Sequence, residues 1–380
     1  MIARLIERAA VVAVCAIAIP ARADDRVPDD LPEPPAEIVR DPPPVALPAI
    51  PAFERPVAVA PQLAADGAGG GPVMRAAVAL GVRDVSVTML NTCNRAITAQ
   101  RYSEAITACR GATDLWSGNH LAWYGSASAH LARGEWQAAA AAIARAVALR
   151  PDRAMYQMYD GIARYEAATE AASGRAADPG RPAIDAARDA LLRAVGREPG
   201  LWRAHYYLGR LYRDRDDVRS AAAEFALAIT ANPGRRDGYV ALSELYRSQG
   251  VPDPALAVAL RGTEHVRPTD AADLWFEAAL AHGAAGHDGP AIAALGKVLE
   301  LRPRDGDARL QRGRLHALRG DHAAARADLE AVIASSEPEL AAVRTVAQRL
   351  LQQVDAEQHA PRSLAAQRVK QLVVPKRTEP

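Results

Sequence analysis

The chain has 380 residues, 46 Lys+Arg against 45 Asp+Glu and a formal net charge of +1. That balance excludes a nucleic-acid binder whose affinity comes from an uncompensated basic face. Aromatics are only 5% of residues while Ala recurs throughout, so the core must pack small side chains closely, which suits helices rather than sheets.

Arg4 and Arg8 lead into an apolar run from Ala9 to Ile19, then Pro20 and the triplet Ala21-Arg22-Ala23. A basic start, a short apolar centre and a small-x-small site predict a cleaved secretory leader over residues 1–23. The run is about 11 residues, short of the ~17–25 that span a bilayer. An uncleaved anchor and a lipidated Cys15 are the alternatives. No later stretch is apolar enough to cross a membrane. The mature chain is therefore expected without a transmembrane segment, exported to the periplasm, or else secreted or held by its leader.

From residue 24 to about 72 the chain carries Pro28, Pro32, Pro34, Pro35, Pro42, Pro43, Pro44, Pro48, Pro51, Pro56 and Pro61, and ends in Asp66-Gly67-Ala68-Gly69-Gly70-Gly71. Proline at this density forbids helix or sheet. The expectation is a polyproline-like spacer with a flexible joint, the linker reaching residue 85. It would serve as a plain linker, a tether, or a ligand for an aromatic groove. Cys93 and Cys109 are the cysteines left once the leader is removed, and an even pair in an oxidising compartment points to a disulfide.

From residue 86 the sequence repeats itself. Ala105, Ala139, Ala187, Ala221, Ala255, Ala291 and Ala325 recur every 34 to 36 residues apart from one long gap. Small residues precede them, at Cys93, Ala127, Gly161, Gly209, Ser243, Ala279 and Gly313. Space-filling ones follow, at Cys109, Ile143, Leu191, Phe225, Leu295 and Leu329, with Ala259 the poorest fit. Two antiparallel helices approach closely only where neither carries a large side chain, and larger residues one turn away fill the flanks. Gly134, Gly250, Gly286 and Gly320 are placed to end each first helix in the left-handed conformation. Pro151, Pro199, Pro233 and Pro303 close four second helices, and Pro268 and Pro338 come one residue later. Asp253-Pro254 reads as an N-cap followed by Pro at the first helical position.

This pattern resembles the tetratricopeptide repeat, in proteins of the exported bacterial type. The fourth unit carries it best, through His205, Leu208, Gly209, Tyr212, Ala221, Phe225, Ala228 and Pro233, while Trp123 and Trp275 fill the leading aromatic position elsewhere. The resemblance implies an all-α, right-handed superhelical solenoid. It gives seven units: 86–119, 120–153, 154–201 with an insertion, 202–235, 236–271, 272–305 and 306–339. The 14-residue insertion is expected to lengthen both helices of the third unit, with a tip over 176–181. Residues 340–354 are read as a capping helix, since an open solenoid needs one, and 355–380 as a basic disordered tail.

Cys93 and Cys109 then fall on the two helices of the first unit, about eight residues from its turn on either side, which predicts their disulfide. His130, His282 and His316 share one helix position and follow the solenoid axis, so they read as packing residues. Glu135 and Asp216-Asp217 read as turn caps. No metal-ligand spacing, nucleophile motif or phosphate loop occurs, so no enzyme activity, cofactor or metal is expected.

The family's concave face is lined by helix-A positions two, five, nine and twelve. Carried over, these are Tyr124, Met158, Ile162 and Tyr165, then Arg203, Tyr206, Arg210 and Arg213, then Arg247, Phe276 and Arg314. An apolar aromatic stretch beside an arginine-rich one implies an extended protein or peptide partner, among which an acidic one suits the pairing of guanidinium with carboxylate. The function expected is a non-catalytic exported adaptor. The alternatives are an envelope assembly or tethering factor acting through the Pro-rich arm and tail, and an accessory of polysaccharide or cell-wall metabolism.

Overall fold

A computed structural model of the protein describes residues 72–173, 181–337 and 340–358. The expected leader, the Pro-rich segment up to residue 71, most of the third unit's tip and the basic tail beyond 358 lie outside them. The described residues are all helical, with 15 α-helices and no strand among them, and they divide into two compact bodies, 72–233 and 234–358.

The first body holds α1 (Pro72–Thr98), α2 (Tyr102–Leu115), α3 (His120–Ala132), α4 (Trp136–Leu149), α5 (Ala154–Ser173), α6 (Arg181–Arg197), α7 (Trp202–Arg213) and α8 (Val218–Ala231). The second holds α9 (Arg236–Ser248), α10 (Pro252–His265), a 3-10 turn at Pro268–Asp270, α11 (Ala272–Ala284), α12 (Asp288–Leu301), α13 (Gly306–Leu318), α14 (His322–Ile333) and α15 (Ala341–Gln358). In each body consecutive odd and even helices pack as pairs.

The six described turns inside pairs share one backbone conformation. Gly134, Gly250, Gly286 and Gly320 have φ of 72°, 75°, 77° and 80°, the left-handed conformation the sequence assigns them. The following N–H reaches five residues back, as from Glu135 to the His130 carbonyl at 2.9 Å and from His287 to that of His282 at 2.8 Å. This is a Schellman closure of the helix end. Gln100 and Asp216 hold the same place with φ of 58° and 59° and no glycine.

The second helices end two residues before a proline: α4 at Leu149, α6 at Arg197, α8 at Ala231 and α12 at Leu301. The residue before proline is driven out of the helical region, and Arg150, Asn232 and Arg302 have φ of −142°, −151° and −132°. The first unit has Ser117 in place of that proline. Its α2 still ends at Leu115, with Trp116 extended at φ −144°.

All seven anchor alanines are fully buried. Where a glycine faces the partner helix, contact is close: a Cβ at Gly209 would stand 2.5 Å from the Phe225 ring, and one at Gly161 would stand 2.6 Å from Leu191. These are the small-against-large pairs the repeat spacing predicts.

Four boundaries differ from the sequence reading. Residues 72–85 are not linker. They form the first half of α1, because after Pro72, which suits a first helical position, no proline interrupts the chain until Pro151. Asp253 is not a cap: α10 starts two residues earlier than that reading places it, at Pro252, with Val251 as its N-cap. In the third pair α5 has 20 residues and α6 has 17, against 13 and 14 in α3 and α4. Arg181, read as part of the tip, begins α6. The extension is seated, since Tyr165, Ala168, Ile184 and Ala187 pack with Leu211. Finally, α15 runs to Gln358 rather than 354, its Ala347, Leu350 and Val354 packed on Leu310, Ala325 and Leu329.

Candidate functional site: the faces of the odd-numbered helices

In the first body α1, α3, α5 and α7 pack in succession, and two tyrosine clusters occupy that side. Tyr124 of α3 stacks on Tyr156 of α5 at 5.2 Å between centroids and meets Tyr159 edge-on at 5.3 Å. His120 Nδ1 and the Tyr156 hydroxyl share a 2.7 Å hydrogen bond. Burial, then the charges of Arg150 and Arg153, lower the His120 pKa, and burial raises Tyr156 to about 12. Tyr156 and Tyr159 are buried, at 4% and 9% exposed, so Tyr124 and His120 are the members of this cluster that reach the surface, each with an apolar ring face and a polar edge.

The second cluster centres on Arg210 of α7. Its guanidinium lies 5.0 Å from the Tyr165 ring and 5.1 Å from the Tyr207 ring, and donates from Nη1 to Glu166 Oε1 at 2.7 Å. The Tyr165 hydroxyl donates to the Asp214 carboxylate. Burial opposes the Arg210 charge, but Tyr165, Glu166, Tyr206 and Tyr207 outweigh it and hold its pKa above the ordinary value. Arg203 sits over the Trp202 ring at 5.3 Å and donates to the Tyr159 hydroxyl at 3.4 Å.

In the second body Arg247 Nε of α9 donates to Glu277 Oε2 of α11 at 3.3 Å. Burial raises Glu277 to about 7, Arg247 opposing and Glu244 and Asp273 reinforcing the shift. Asp273 accepts two bonds from Arg302, at 2.6 and 3.0 Å, and faces Arg236 at 2.8 Å. Arg314 Nε donates to Gln311 Oε1 at 3.3 Å, and burial lowers its pKa.

The structure sorts the residues assigned to the concave face. Tyr124, Arg203, Tyr206, Arg210, Arg213, Arg247 and Arg314 are partly exposed. Met158, Ile162, Tyr165 and Phe276 are not open to a partner: they are 3%, 6%, 1% and 7% exposed. Met158 and Ile162 join Ile143, Leu191 and Leu208 in one core cluster, and Phe276 joins Leu295 and Leu315 in another. The arginines are also less available than their spacing suggests, because Glu166 and Glu277 already hold Arg210 and Arg247. Sequence reasoning missed Tyr156, Tyr159, Tyr207 and Glu166, which stand beside the carried-over positions. The one signal for the three tyrosines is the density of tyrosine between 156 and 212, and nothing local marks Glu166.

His130 Nδ1 bonds Glu135 Oε2 across its own turn at 2.6 Å, while His316 lies 3.5 Å from Asp321. Glu135 thus pairs with His130 instead of capping α4. Asp217 caps α8, its Oδ1 accepting from the Ser220 N–H at 3.1 Å. Cys93 and Cys109 are at disulfide distance, with sulfurs 2.07 Å and Cα atoms 5.3 Å apart. No helix among the described residues is long and apolar enough to cross a membrane.

Models of the tetratricopeptide repeat match residues 96–159, 184–236 and 276–339. No curated protein matches the chain. Among solved structures the chain is similar to a tetratricopeptide repeat protein from Parabacteroides merdae ATCC 43184, at 14% identity and a TM-score of 0.50, covering 71% of this chain and 99% of that one. It is also similar to PilW, a type IV pilus biogenesis factor, at 16% identity and a TM-score of 0.49, over 59% and 97% of the two chains. A third is YrrB, a repeat protein with an unusual peptide-binding site, at 17% identity and a TM-score of 0.38, over 53% and 95%. At 14% identity the likeness to the first speaks for the fold alone. Tetratricopeptide repeats are thus found over residues 96–159, 184–236 and 276–339, and the described residues have an all-helical fold like that of the first of these structures.

Proposed function

We propose that the protein is a non-catalytic adaptor that holds an extended peptide or protein partner against the odd-helix face of its first body. The observation that supports it most is the half-buried set Tyr124, Arg203, Tyr206 and Arg213 on α3 and α7. Flat amphipathic rings there adjoin forked cations, the side chains that dominate binding energy at interfaces. A partner with apolar side chains next to carboxylates fits that surface. Export to an oxidising compartment is part of the reading, supported by the leader-like N-terminus and by the Cys93–Cys109 distance.

The test is affinity capture from the cell's own envelope extract, comparing the wild type with the Arg203→Glu/Arg213→Glu double variant at equal helicity. The expected result is loss of specific captured proteins, with the same loss for the wild type when salt is raised. A captured set unchanged by the double variant would overturn the reading.

A further inference from the structure

We propose that residues 37–65 of this chain dock on the face of α3 and α7 that bears Tyr124, Arg203, Tyr206 and Arg213, so that the protein carries a built-in competitor for its own partner site. The inference rests on the adaptor reading only in taking that face as a binding surface.

The chemistry of the two sides matches. The segment holds Pro42-Pro43-Pro44, Pro48, Pro51, Pro56 and Pro61, and its Glu37, Asp41 and Glu54 stand against Arg40 and Arg55, a net charge of −1. Proline-rich chain is pre-set in an extended form and loses little entropy on docking. Its rings lie against aromatic side chains in grooves that recognise such segments. The face offers Tyr124 and Tyr206, both half-buried, at the aromatic places, and Arg203 and Arg213 for the carboxylates.

The reach also matches. Arg83 lies over Trp116, at the end of α2, so α1 from Pro72 to residue 82 overhangs its partner by 11 residues, about 16 Å. Turning back along that overhang takes about five or six extended residues at ~3.1 Å each. Asp66 to Gly71, with four glycines, supplies six. From there, crossing α1 to α7 at 8–10 Å per helix is roughly 30 Å, which about ten extended residues cover.

The test uses the full chain with a photoreactive benzophenone residue in place of Val45. Irradiation is expected to yield cross-links to 120–132 and 202–213 within one molecule, with a yield unchanged on tenfold dilution. Pro42→Ser/Pro43→Ser/Pro44→Ser, which lies outside every described helix, is expected to cut those cross-links at least fivefold. Cross-links spread over all helices, cross-links confined to dimers that fade on dilution, or an undiminished yield in the triple variant would each overturn the docking in cis. The adaptor reading fails separately. If Arg203→Glu/Arg213→Glu abolishes partner capture while Val45 cross-links fall elsewhere, the docking is wrong and the adaptor reading stands. If the cross-links land as expected and the double variant captures the same proteins, the reverse holds.

Discussion

Gly125 of α3 lies against the sulfur of Cys109 on α2: a Cβ added to Gly125 would stand 2.8 Å from that Sγ and 3.2 Å from that of Cys93. The second helix pair therefore packs directly on the cysteine bridge of the first. Filling this contact forces one helix to move, at a cost of about 1–3 kcal/mol. Gly125→Ala should lower stability by that amount in urea denaturation.

The bridge itself has a redox readout. Closing a loop with a sequence separation of 16 stabilises by about 3 kcal/mol in the chain-entropy model. Cys93→Ala/Cys109→Ala should lose that much, and alkylation of the unreduced protein should leave its mass unchanged. Two alkylated thiols would refute the bridge.

At Gln100 and Asp216 a side chain occupies a left-handed position that four other turns give to glycine. The left-handed conformation costs an L-residue roughly 1–2 kcal/mol. Gln100→Gly and Asp216→Gly should each raise stability by up to about 1 kcal/mol, the gain being offset by the freer unfolded chain. Gly286→Ala, which meets nothing within 4 Å but has φ 77°, should lower it. Thermal unfolding at one protein concentration ranks all three.

Arg210 and Arg213 lie one turn apart on α7 but differ in role. Removing Arg210 strands Glu166, whose side chain is only 14% exposed, and breaking a buried pair this way costs about 3–5 kcal/mol. Arg213, 36% exposed beside Asp214, should cost less than about 1 kcal/mol. Urea midpoints of Arg210→Ala and Arg213→Ala separate the two roles.

Glu277 ties stability to pH. Its folded pKa of about 7 stands above the ordinary 4.5, so the folded protein holds this proton more tightly than the unfolded chain. The contribution is fully present below pH 4.5 and is lost as pH rises through about 7. Each unit of such a shift is worth about 1.4 kcal/mol. Glu277→Gln should flatten the decline between pH 5 and 8 and be the more stable form at pH 8. Denaturation at both pH values checks it.

The helix pairs were legible because the repeat fixes them locally. A buried Ala, a small residue facing it and a closing Pro are set by contacts within some 34 residues. The start of α1 was not, since residues 72–85 lie upstream of the repeat signature. The candidate face was half legible. Carrying over helix positions picked out Tyr124, Arg203 and Tyr206, which the fold leaves partly exposed. It failed at Met158, Ile162 and Tyr165, whose burial depends on what neighbouring helices lay over them. The pairing of Arg210 with Glu166 spans 44 residues, and nothing in either local sequence announces it. Glycines show the same divide: Gly209 is pressed against Phe225 while Gly296 meets nothing within 4 Å, and both sit inside helices.

The Cys93–Cys109 bridge also decides how the protein bears tension. A pull on the chain ahead of Pro72 loads α1 from its free end, the direction in which a stacked array of helix pairs peels most readily. The covalent link hands that load to α2 and hides the intervening residues from the stretching device. In a single-molecule pulling record the oxidised chain should therefore fall short of the reduced one by about 50–60 Å of contour length, at ~3.3–3.6 Å per residue over the separation of 16. Adding reductant to the same molecule should restore the missing length in one step.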